Sequence, residues 1–332
     1  MAENSQQSAI DEARPVLEAA MFEIKRVIVG QEEMLQRVFV ALLAGGHLLI
    51  EGVPGLAKTL TVKSVADILG GTFHRIQFTP DLVPSDLVGT RIYRPDQAAF
   101  DTELGPVFCN ILLADEINRA PAKVQSALLE VMQERQVTIG AKSFPVPEPF
   151  LVLATQNPIE SEGTYPLPEA QVDRFMMKII VGYPSAGEEM TVIERSLGET
   201  PSLKPILPVE KLHEFQRLTR LIYVDRAVSE YAVNLVAATR ATTGDHAKYV
   251  AFGASPRGSI NLVHSARALA LLRGRTYIIP QDVRELAKDT LRHRLVLTYE
   301  AMADSVTPDQ ILDAVLAAVP APRIDTVREA TA

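Results

Sequence analysis

A glycine-rich stretch of eight residues has the residue types and spacing best suited to chemistry in this chain. In order, it consists of Gly52, Val53, Pro54, Gly55, Leu56, Ala57, Lys58 and Thr59. It lies between a buried apolar run and a helical pattern, which is where a phosphate-binding loop occurs. Backbone N–H groups of such a loop point at phosphate oxygens, and the start of the following helix adds positive potential. We therefore predict a nucleotide-binding loop that includes the following Leu60.

Within this loop, two side chains have predicted roles. Lys58 is expected to pair with the β- and γ-phosphates, and the Thr59 hydroxyl to ligate Mg²⁺. Ala57 departs from the general pattern, which has glycine at that position. Its methyl group is expected to be tolerated if residue 57 is already helical. Taken alone, the stretch could also be a simple Gly/Pro turn before a helix.

Two adjacent carboxylates follow a second apolar run, Ile111 to Ala114. A buried strand that ends in acids places them at the carboxyl edge of an open α/β sheet, where ligands bind. Asp115 is expected to hold Mg²⁺ through water, and Glu116 to polarise the attacking water. An acidic pair after a strand is also common on plain surfaces. Because this pair follows Lys58 by 57 residues, in the right order, the two motifs together predict binding of a nucleoside triphosphate.

Short apolar strands and helical patterns alternate around these motifs. We predict helices at 31–44, 58–69 and 121–133, and strands at 47–50, 73–78, 111–114, 150–155 and 175–181. Such alternation is typical of a parallel sheet with helices on both faces. Residues 93–100 and 136–146 look inserted, and the second of these resembles a hairpin around Gly140.

The character of the chain changes after Gly187, because strand-like runs largely disappear and helical patterns dominate. We therefore predict an α/β core at 25–185 and an all-helical second domain at 187–320. Residues 1–24 are predicted to form a loose tail and an amphipathic helix, and residues 321–332 a flexible tail. On the helices of the second domain, Asp282, Glu285 and Arg292 are predicted to form a solvated face.

Composition limits the function classes. The chain has 332 residues, 47% of them hydrophobic, and a net charge of −8, which argues against a nucleic-acid or anionic-membrane partner. Its one cysteine, Cys109, excludes an intramolecular disulfide and is expected to be buried. The polar N-terminus lacks the build of a signal peptide, and the longest apolar run is too short for a membrane span. These features predict a cytoplasmic location.

Seven short sequence motifs, taken in chain order, resemble those of one known family. They are Val29-Gly30-Gln31, the loop ending Ala57-Lys58-Thr59, Gly105-Pro106-Val107-Phe108, Asp115-Glu116-Ile117-Asn118-Arg119-Ala120-Pro121, Ala154-Thr155-Gln156-Asn157-Pro158, Glu169-Ala170-Gln171-Val172-Asp173-Arg174-Phe175 and Gly253-Ala254-Ser255-Pro256-Arg257. Together they resemble the MoxR-type AAA+ ATPases, in the clade with an insert in helix 2. The resemblance runs from about residue 15 to about residue 320, and this family itself uses alanine at position 57.

The resemblance implies roles for five further residues. Asn157 is similar to the sensor that helps place the attacking water. Arg174 resembles the arginine finger presented to the ATP of a neighbouring subunit, and Arg257 the second sensor, which couples a helical lid to the nucleotide state. Arg119 resembles another interface arginine, and Gln31 is expected near the adenine. Read without the family, these residues could also form a turn, local salt bridges and solvated positions.

At the level of function, the resemblance implies an AAA+ core with an all-α lid that binds and hydrolyses ATP with Mg²⁺. It further implies a homo-oligomeric ring, expected to be a hexamer, which remodels or matures client proteins. A partner with a von Willebrand factor A domain is implied as well. The segments 93–100 and 136–146 match the helix-2 insert and pre-sensor hairpin of this clade, which would face the pore or the substrate side of the ring.

Other functions remain as alternatives. A chelatase-type motor subunit would share every motif. A nucleotide-dependent scaffold or switch would lack Glu116 or Arg174, and both are present. A DNA-dependent motor is expected to have basic loops, whereas Lys142 is the only basic residue of 136–146. A small-molecule kinase would leave the sensor and finger residues unexplained.

Overall fold

The computed structural model describes residues 2–53, 55–96, 98–157, 164–198, 201–241, 244 and 246–323, and the side chains from residue 6 onward. The chain divides into two compact units: residues 15–216, and residues 1–14 together with 217–332. Pro54 of the predicted loop and most of the predicted tail lie outside the described residues. The domain boundaries predicted from the sequence stay predictions.

The unit of residues 15–216 contains both strands and helices. Its elements, together with the two helices that cross its boundaries, are α1 (Ala2–Lys25), α2 (Glu32–Ala44), β1 (Leu48–Glu51), α3 (Lys58–Leu69), β2 (Phe73–Gln77), α4 (Pro84–Val88), β3 (Gly89–Arg94), β4 (Ala99–Leu104), β5 (Ile111–Asp115), α5 (Ala122–Glu134), β6 (Gln136–Ile139), β7 (Lys142–Pro145), β8 (Leu151–Gln156), α6 (Glu169–Val172), β9 (Met177–Ile180), α7 (Ala186–Ser196) and α8 (Val209–Leu221). Helix α1 begins at Ala2, so the segment that was predicted to be a loose tail is helical.

Five strands of this unit form one parallel sheet in the order β2-β5-β8-β1-β9. The central strands β5 and β8 are apolar and buried along nearly their whole length, as a sheet covered on both faces requires. The predicted parallel sheet is therefore confirmed. Because all five strands run the same way, their carboxyl ends meet at one edge, and the described residues that directly follow β1, β5 and β8 lie there together.

Two antiparallel hairpins interrupt this α/β pattern, formed by β3 with β4 and by β6 with β7. The second agrees with the hairpin predicted at 136–146. The first is longer than the segment predicted at 93–100, because its strands pair from Gly89 and Leu104 onward. Gly89 has a φ of +97°, and a Cβ added there would lie 2.2 Å from the Glu103 carbonyl oxygen. Glycine is therefore needed where the hairpin begins.

The unit formed by 1–14 and 217–332 is mainly helical, as predicted for this part of the chain. Its further elements are α9 (Arg226–Ala238), β10 (Val250–Phe252), α10 (Pro256–Leu272), α11 (Pro280–Leu291), β11 (Val296–Leu297), α12 (Tyr299–Ala303) and α13 (Pro308–Ala318). Proline at the first position and a Ser255 or Thr307 cap start α10 and α13. The short antiparallel pair of β10 and β11 was not predicted. None of the described helices is long and apolar enough to span a bilayer.

The solvated face predicted for Asp282, Glu285 and Arg292 is wrong. Asp282 is fully buried and pairs with two arginines, and the Arg292 side chain, only 9% exposed, pairs with Asp289 and Asp309. Helical periodicity shows which positions share a face but does not show what covers that face. Here oppositely charged residues from neighbouring segments bury these groups.

Candidate active site

The glycine-rich loop follows β1 and ends where α3 begins at Lys58. Its first residue must be small, because a Cβ at Gly52 would lie 2.8 Å from the Val181 carbonyl oxygen. Gly55 has a φ of +85°, and a Cβ there would meet nothing within 4 Å. Among the described residues, Gly55 therefore faces open space, as a cradle for phosphates requires.

Ala57 is in the left-handed region, with a φ of +54°. The condition under which its methyl group was expected to be tolerated, a helical residue 57, is therefore not met, and alanine adopts here a backbone conformation that favours glycine. A left-handed residue just before a right-handed helix turns successive N–H groups toward one side, which creates an anion-binding concavity.

The Lys58 side chain lies within the loop, and its Nζ donates to the Gly52 carbonyl oxygen at 2.6 Å. Partial burial lowers the pKa of Lys58, whereas the nearby carboxylates of Asp115 and Glu116 raise it. A partly desolvated ammonium within this loop is suited to pair with an anionic ligand.

Asp115 ends β5, and both of its oxygens are engaged. The Thr155 hydroxyl, from the neighbouring strand β8, donates to Oδ1 at 2.5 Å. Arg75, from the other neighbouring strand β2, donates to Oδ2 through Nη2 at 2.7 Å and Nε at 3.2 Å. The two strands beside β5 therefore hold this carboxylate from both sides.

Glu116 follows the strand with a φ of +55°, in the left-handed region of the backbone. Its backbone N–H donates to the Thr155 hydroxyl at 2.9 Å. Gln77 Nε2 donates to Glu116 Oε2 at 2.8 Å, and Arg119 Nε lies 3.0 Å from the same oxygen. Arg119, predicted as an interface arginine, thus pairs within its own chain.

These groups line one open cleft of about 440 Å³. Nine residues of the predicted site meet there: Gly55, Leu56, Ala57, Lys58, Thr59, Leu60, Asp115, Glu116 and Asn157. Thr59 and Asp115 offer a hydroxyl and a carboxylate, the oxygen donors that Mg²⁺ prefers. The donor set and the loop's concavity therefore fit a nucleotide with its magnesium ion.

Gln31 lines a second, smaller pocket of about 250 Å³ with residues 179–184 and Glu188. Its Nε2 donates to the Gly182 carbonyl oxygen at 3.4 Å. Val181 of this pocket packs against Gly52, so the pocket adjoins the start of the phosphate loop. This position is consistent with the prediction that Gln31 lies near an adenine.

Arg174 lies away from the cleft, between α6 and β9. Met176, two residues later, donates its N–H to the His47 carbonyl oxygen at the amino end of β1. Arg174 is thus at the amino edge of the sheet, and its guanidinium makes no hydrogen bond or ion pair with another described residue. Arg257, exposed at the start of α10, belongs to the other compact unit.

Three residues of the site were missed from the sequence: Arg75, Gln77 and Thr155. Arg75 and Gln77 alternate on β2, which is the edge strand of the sheet and largely exposed on the face they share. Polar residues at alternate positions in a short strand could have indicated a lined site. Thr155 offered no such signal, because it is one residue within an apolar run.

Comparison with known proteins places this site in a family. Residues 47–177 match the model of the ATPase family associated with various cellular activities, and residues 243–315 match that of the AAA lid domain. Chaperone MoxR1 of Mycobacterium tuberculosis is 58% identical over 315 residues, which cover 94% of this chain and 84% of that protein. The chain belongs to the MoxR family of AAA+ ATPases.

Two further comparisons agree with membership in the MoxR family. Protein MoxR of Paracoccus denitrificans is 32% identical over 320 residues, which cover 89% of this chain and 93% of that protein. A crystal structure of a Cytophaga hutchinsonii protein matches with a TM-score of 0.90 and 44% identity, covering 97% of this chain and all of that chain. Nucleotide binding and ATPase activity follow from the family, and the predicted fold class is confirmed.

Proposed function

We propose that this MoxR-family chain is a Mg²⁺-dependent ATP hydrolase whose active sites are completed between the subunits of a homo-oligomeric ring, and that hydrolysis drives the remodelling or maturation of partner proteins. The observation that carries this proposal is the distance between Arg174 and the cleft residues of the same chain. Lys58, Asp115 and Glu116 meet in one cleft, whereas Arg174 lies at the opposite edge of the same sheet.

Within one subunit, the cleft residues divide the work of hydrolysis. The N–H groups of the loop and the Lys58 ammonium bind the phosphates. Thr59 and Asp115 would hold Mg²⁺, which supplies positive charge to the β- and γ-phosphate oxygens when bound. Glu116 accepts a hydrogen bond from the attacking water and polarises it, and Asn157 helps to orient that water.

Arg174 cannot complete this site in its own chain without a large rearrangement. Lys58 lies beyond the carboxyl end of β1, and Arg174 lies beside its amino end, so that the strand's length of about 10 Å separates them. A guanidinium at a subunit surface can instead reach the phosphates of a neighbour and stabilise the charge that develops during transfer. We propose that Arg257 couples the helical unit to the nucleotide state.

The proposed role in protein remodelling rests on the family. The name of the relative Chaperone MoxR1 supports the proposal that the clients are proteins. Family resemblance favours a hexamer and a partner with a von Willebrand factor A domain. A chelatase-type motor would use the same site with a different client. Glu116 and Arg174 are both present, which argues against a scaffold that binds nucleotide without hydrolysing it.

Mixing two inactive variants tests the shared site. Arg174→Ala should bind ATP but hydrolyse it about 10³–10⁵-fold more slowly. Glu116→Gln should also bind ATP without hydrolysing it. If Arg174 acts across the interface, some sites in mixed rings combine an intact Glu116 with a neighbour's intact Arg174. In an equimolar mixture of the two variants, about a quarter of the sites in a cyclic oligomer should then be active.

Two controls make a negative result decisive. A fluorescence-transfer pair on the subunits confirms that exchange has occurred. Dilution of wild-type rings with either variant shows whether a single inactive subunit silences the whole ring, since a steep loss would hide recovery. Confirmed exchange and a shallow dilution curve, without recovered ATPase activity, would show that Arg174 does not act in trans.

A further inference from the structure

The strongest unexplained feature of the cleft is Arg75, a residue without a role in the reaction as described above. It lies on β2, and two of its nitrogens contact Oδ2 of Asp115. Thr155 occupies the other oxygen of that carboxylate. The positively charged guanidinium of Arg75 therefore pairs with Asp115, the residue that would hold the magnesium ion.

Arg75 also reaches the second carboxylate indirectly. Its Nη2 donates to Gln77 Oε1 at 3.1 Å. Because one end of an amide accepts and the other donates, this bond directs Gln77 Nε2 toward Glu116, to which it donates at 2.8 Å. One guanidinium thus holds Asp115 directly and Glu116 through Gln77.

The surroundings of Arg75 allow it to leave. Its side chain is 48% exposed, whereas that of Asp115 is 16% exposed. The pair borders the open cleft of about 440 Å³, into which a long side chain can swing. An ion pair with one partner so exposed contributes little net free energy, so a competing divalent cation can displace the arginine.

We propose that Arg75 is a positioning residue that occupies Asp115 in the absence of metal and nucleotide, and that a metal–nucleotide complex must displace it. This inference rests on the proposed nucleotide site. Arg75 thereby weakens metal binding at rest, and its departure removes the donor that orients Gln77 against Glu116. Metal binding at Asp115 and the orientation of Gln77 toward Glu116 are coupled through this one side chain.

The test measures metal affinity directly, with Mn²⁺ as the probe and electron paramagnetic resonance as the readout. Mn²⁺ is titrated into the full chain saturated with ADP. In Arg75→Met, which keeps the length but loses the charge, the Mn²⁺ dissociation constant should fall about two- to five-fold. Arg75→Lys retains the charge and should stay closer to the wild type. ADP affinity in EDTA should be unchanged in both variants.

Arg226→Met is the matched control, because Arg226 forms a well-exposed ion pair with Glu230 in the other unit. Its Mn²⁺ affinity should equal that of the wild type. Arg75→Gln gives the same test if the methionine variant does not fold.

Two results would overturn the proposed role of Arg75. Unchanged or weaker Mn²⁺ binding in Arg75→Met would show that the arginine does not compete with metal. Weaker ADP binding in EDTA would show that Arg75 contacts phosphate instead. A wild-type chain that binds no ADP, with or without metal, would overturn the nucleotide site itself, and this result is distinct from the other two.

Discussion

Two aspartates, one in each compact unit, are held by arginines in different ways. Asp115 ends β5 and pairs with Arg75 at 2.7 Å. Asp282, near the start of α11, pairs with Arg275 at 2.5 Å and with Arg273 at 3.0 Å. The distances are similar, but the surroundings are not, because Asp282 is fully buried whereas Asp115 and Arg75 border an open cleft.

The difference indicates which carboxylate is available to a ligand. Asp282 accepts from two guanidinium groups and from the Ile279 N–H, so both of its oxygens are committed within a closed network. A buried charge with such partners must keep them all. Asp115 has one partner that is half exposed and can move aside. The same pair of residue types is therefore structural in one unit and exchangeable in the other.

Among the changes that test this comparison, the largest effect is expected on catalysis in the open cluster. Glu116→Gln should lower the ATP hydrolysis rate about 10²–10⁴-fold, because only the activation of water is lost. ATP affinity and the free energy of unfolding should stay near wild type. A phosphate-release assay and calorimetric titration measure the first two quantities. Glu230→Gln, an exposed residue of the other unit, is the matched control.

Near-normal turnover in Glu116→Gln would contradict its role in activating water. Complete loss of ATP binding would show instead that the residue shapes the pocket. Either outcome would show that the cluster around Asp115 and Glu116 does not have the catalytic role that distinguishes it from the Asp282 cluster.

The closed cluster is expected to respond in stability. Asp282→Ala leaves two arginines without their buried partner, so the free energy of unfolding should fall by about 3 kcal/mol. Urea unfolding followed by circular dichroism measures this change. Asp313→Ala serves as the control, because Asp313 is an exposed residue paired with Lys288 in the same unit. A loss for Asp282 no larger than that for Asp313 would mean that burial does not distinguish the clusters.

His47, at the amino edge of the sheet, is a buried group whose protonation makes stability depend on pH. Burial, together with the charge of Arg135, lowers the pKa of His47 to about 3. Its Nδ1 accepts from the Val152 N–H, and Nε2 lies 3.2 Å from the Met132 carbonyl oxygen, so the ring is held neutral. The unfolded chain therefore binds more protons between pH 6.5 and 3, and stability falls as the pH drops through that range.

Acidification from pH 7 to pH 5 should therefore cost about 2 kcal/mol through His47. The measurement is the free energy of unfolding against pH for the wild type and for His47→Gln, whose amide can also accept and donate. The variant should have a shallower slope between pH 6.5 and 5. Parallel slopes would show that His47 does not titrate on unfolding.

The smallest expected effect is the stability change in Asp115→Asn. This isosteric change removes a pair with an exposed partner, so the free energy of unfolding should change by no more than about 1 kcal/mol. Denaturant unfolding beside Asp282→Asn gives the direct contrast. A loss at position 115 as large as that at 282 would make both clusters structural.

The local elements of the site were predictable from the sequence. The helix predicted at 58–69 agrees with α3, and the strand predicted at 111–114 lies within β5. These predictions succeeded because a buried strand, a glycine-rich turn and a helix each leave a pattern within a few neighbouring residues. The same reasoning failed at Ala57, whose left-handed backbone depends on the shape of the whole loop.

The sequence by itself thus determined the strands, the phosphate loop and the acids that follow β5, because these are set by short-range periodicity and spacing. Only the tertiary structure decided which arginine meets which carboxylate. Arg75 reaches Asp115 across 40 residues because β2 and β5 are neighbours in the sheet. Asp282 is buried because arginines from the segment before α11 close over it. Helical spacing predicted an exposed face there, since burial depends on long-range partners that a local pattern does not contain.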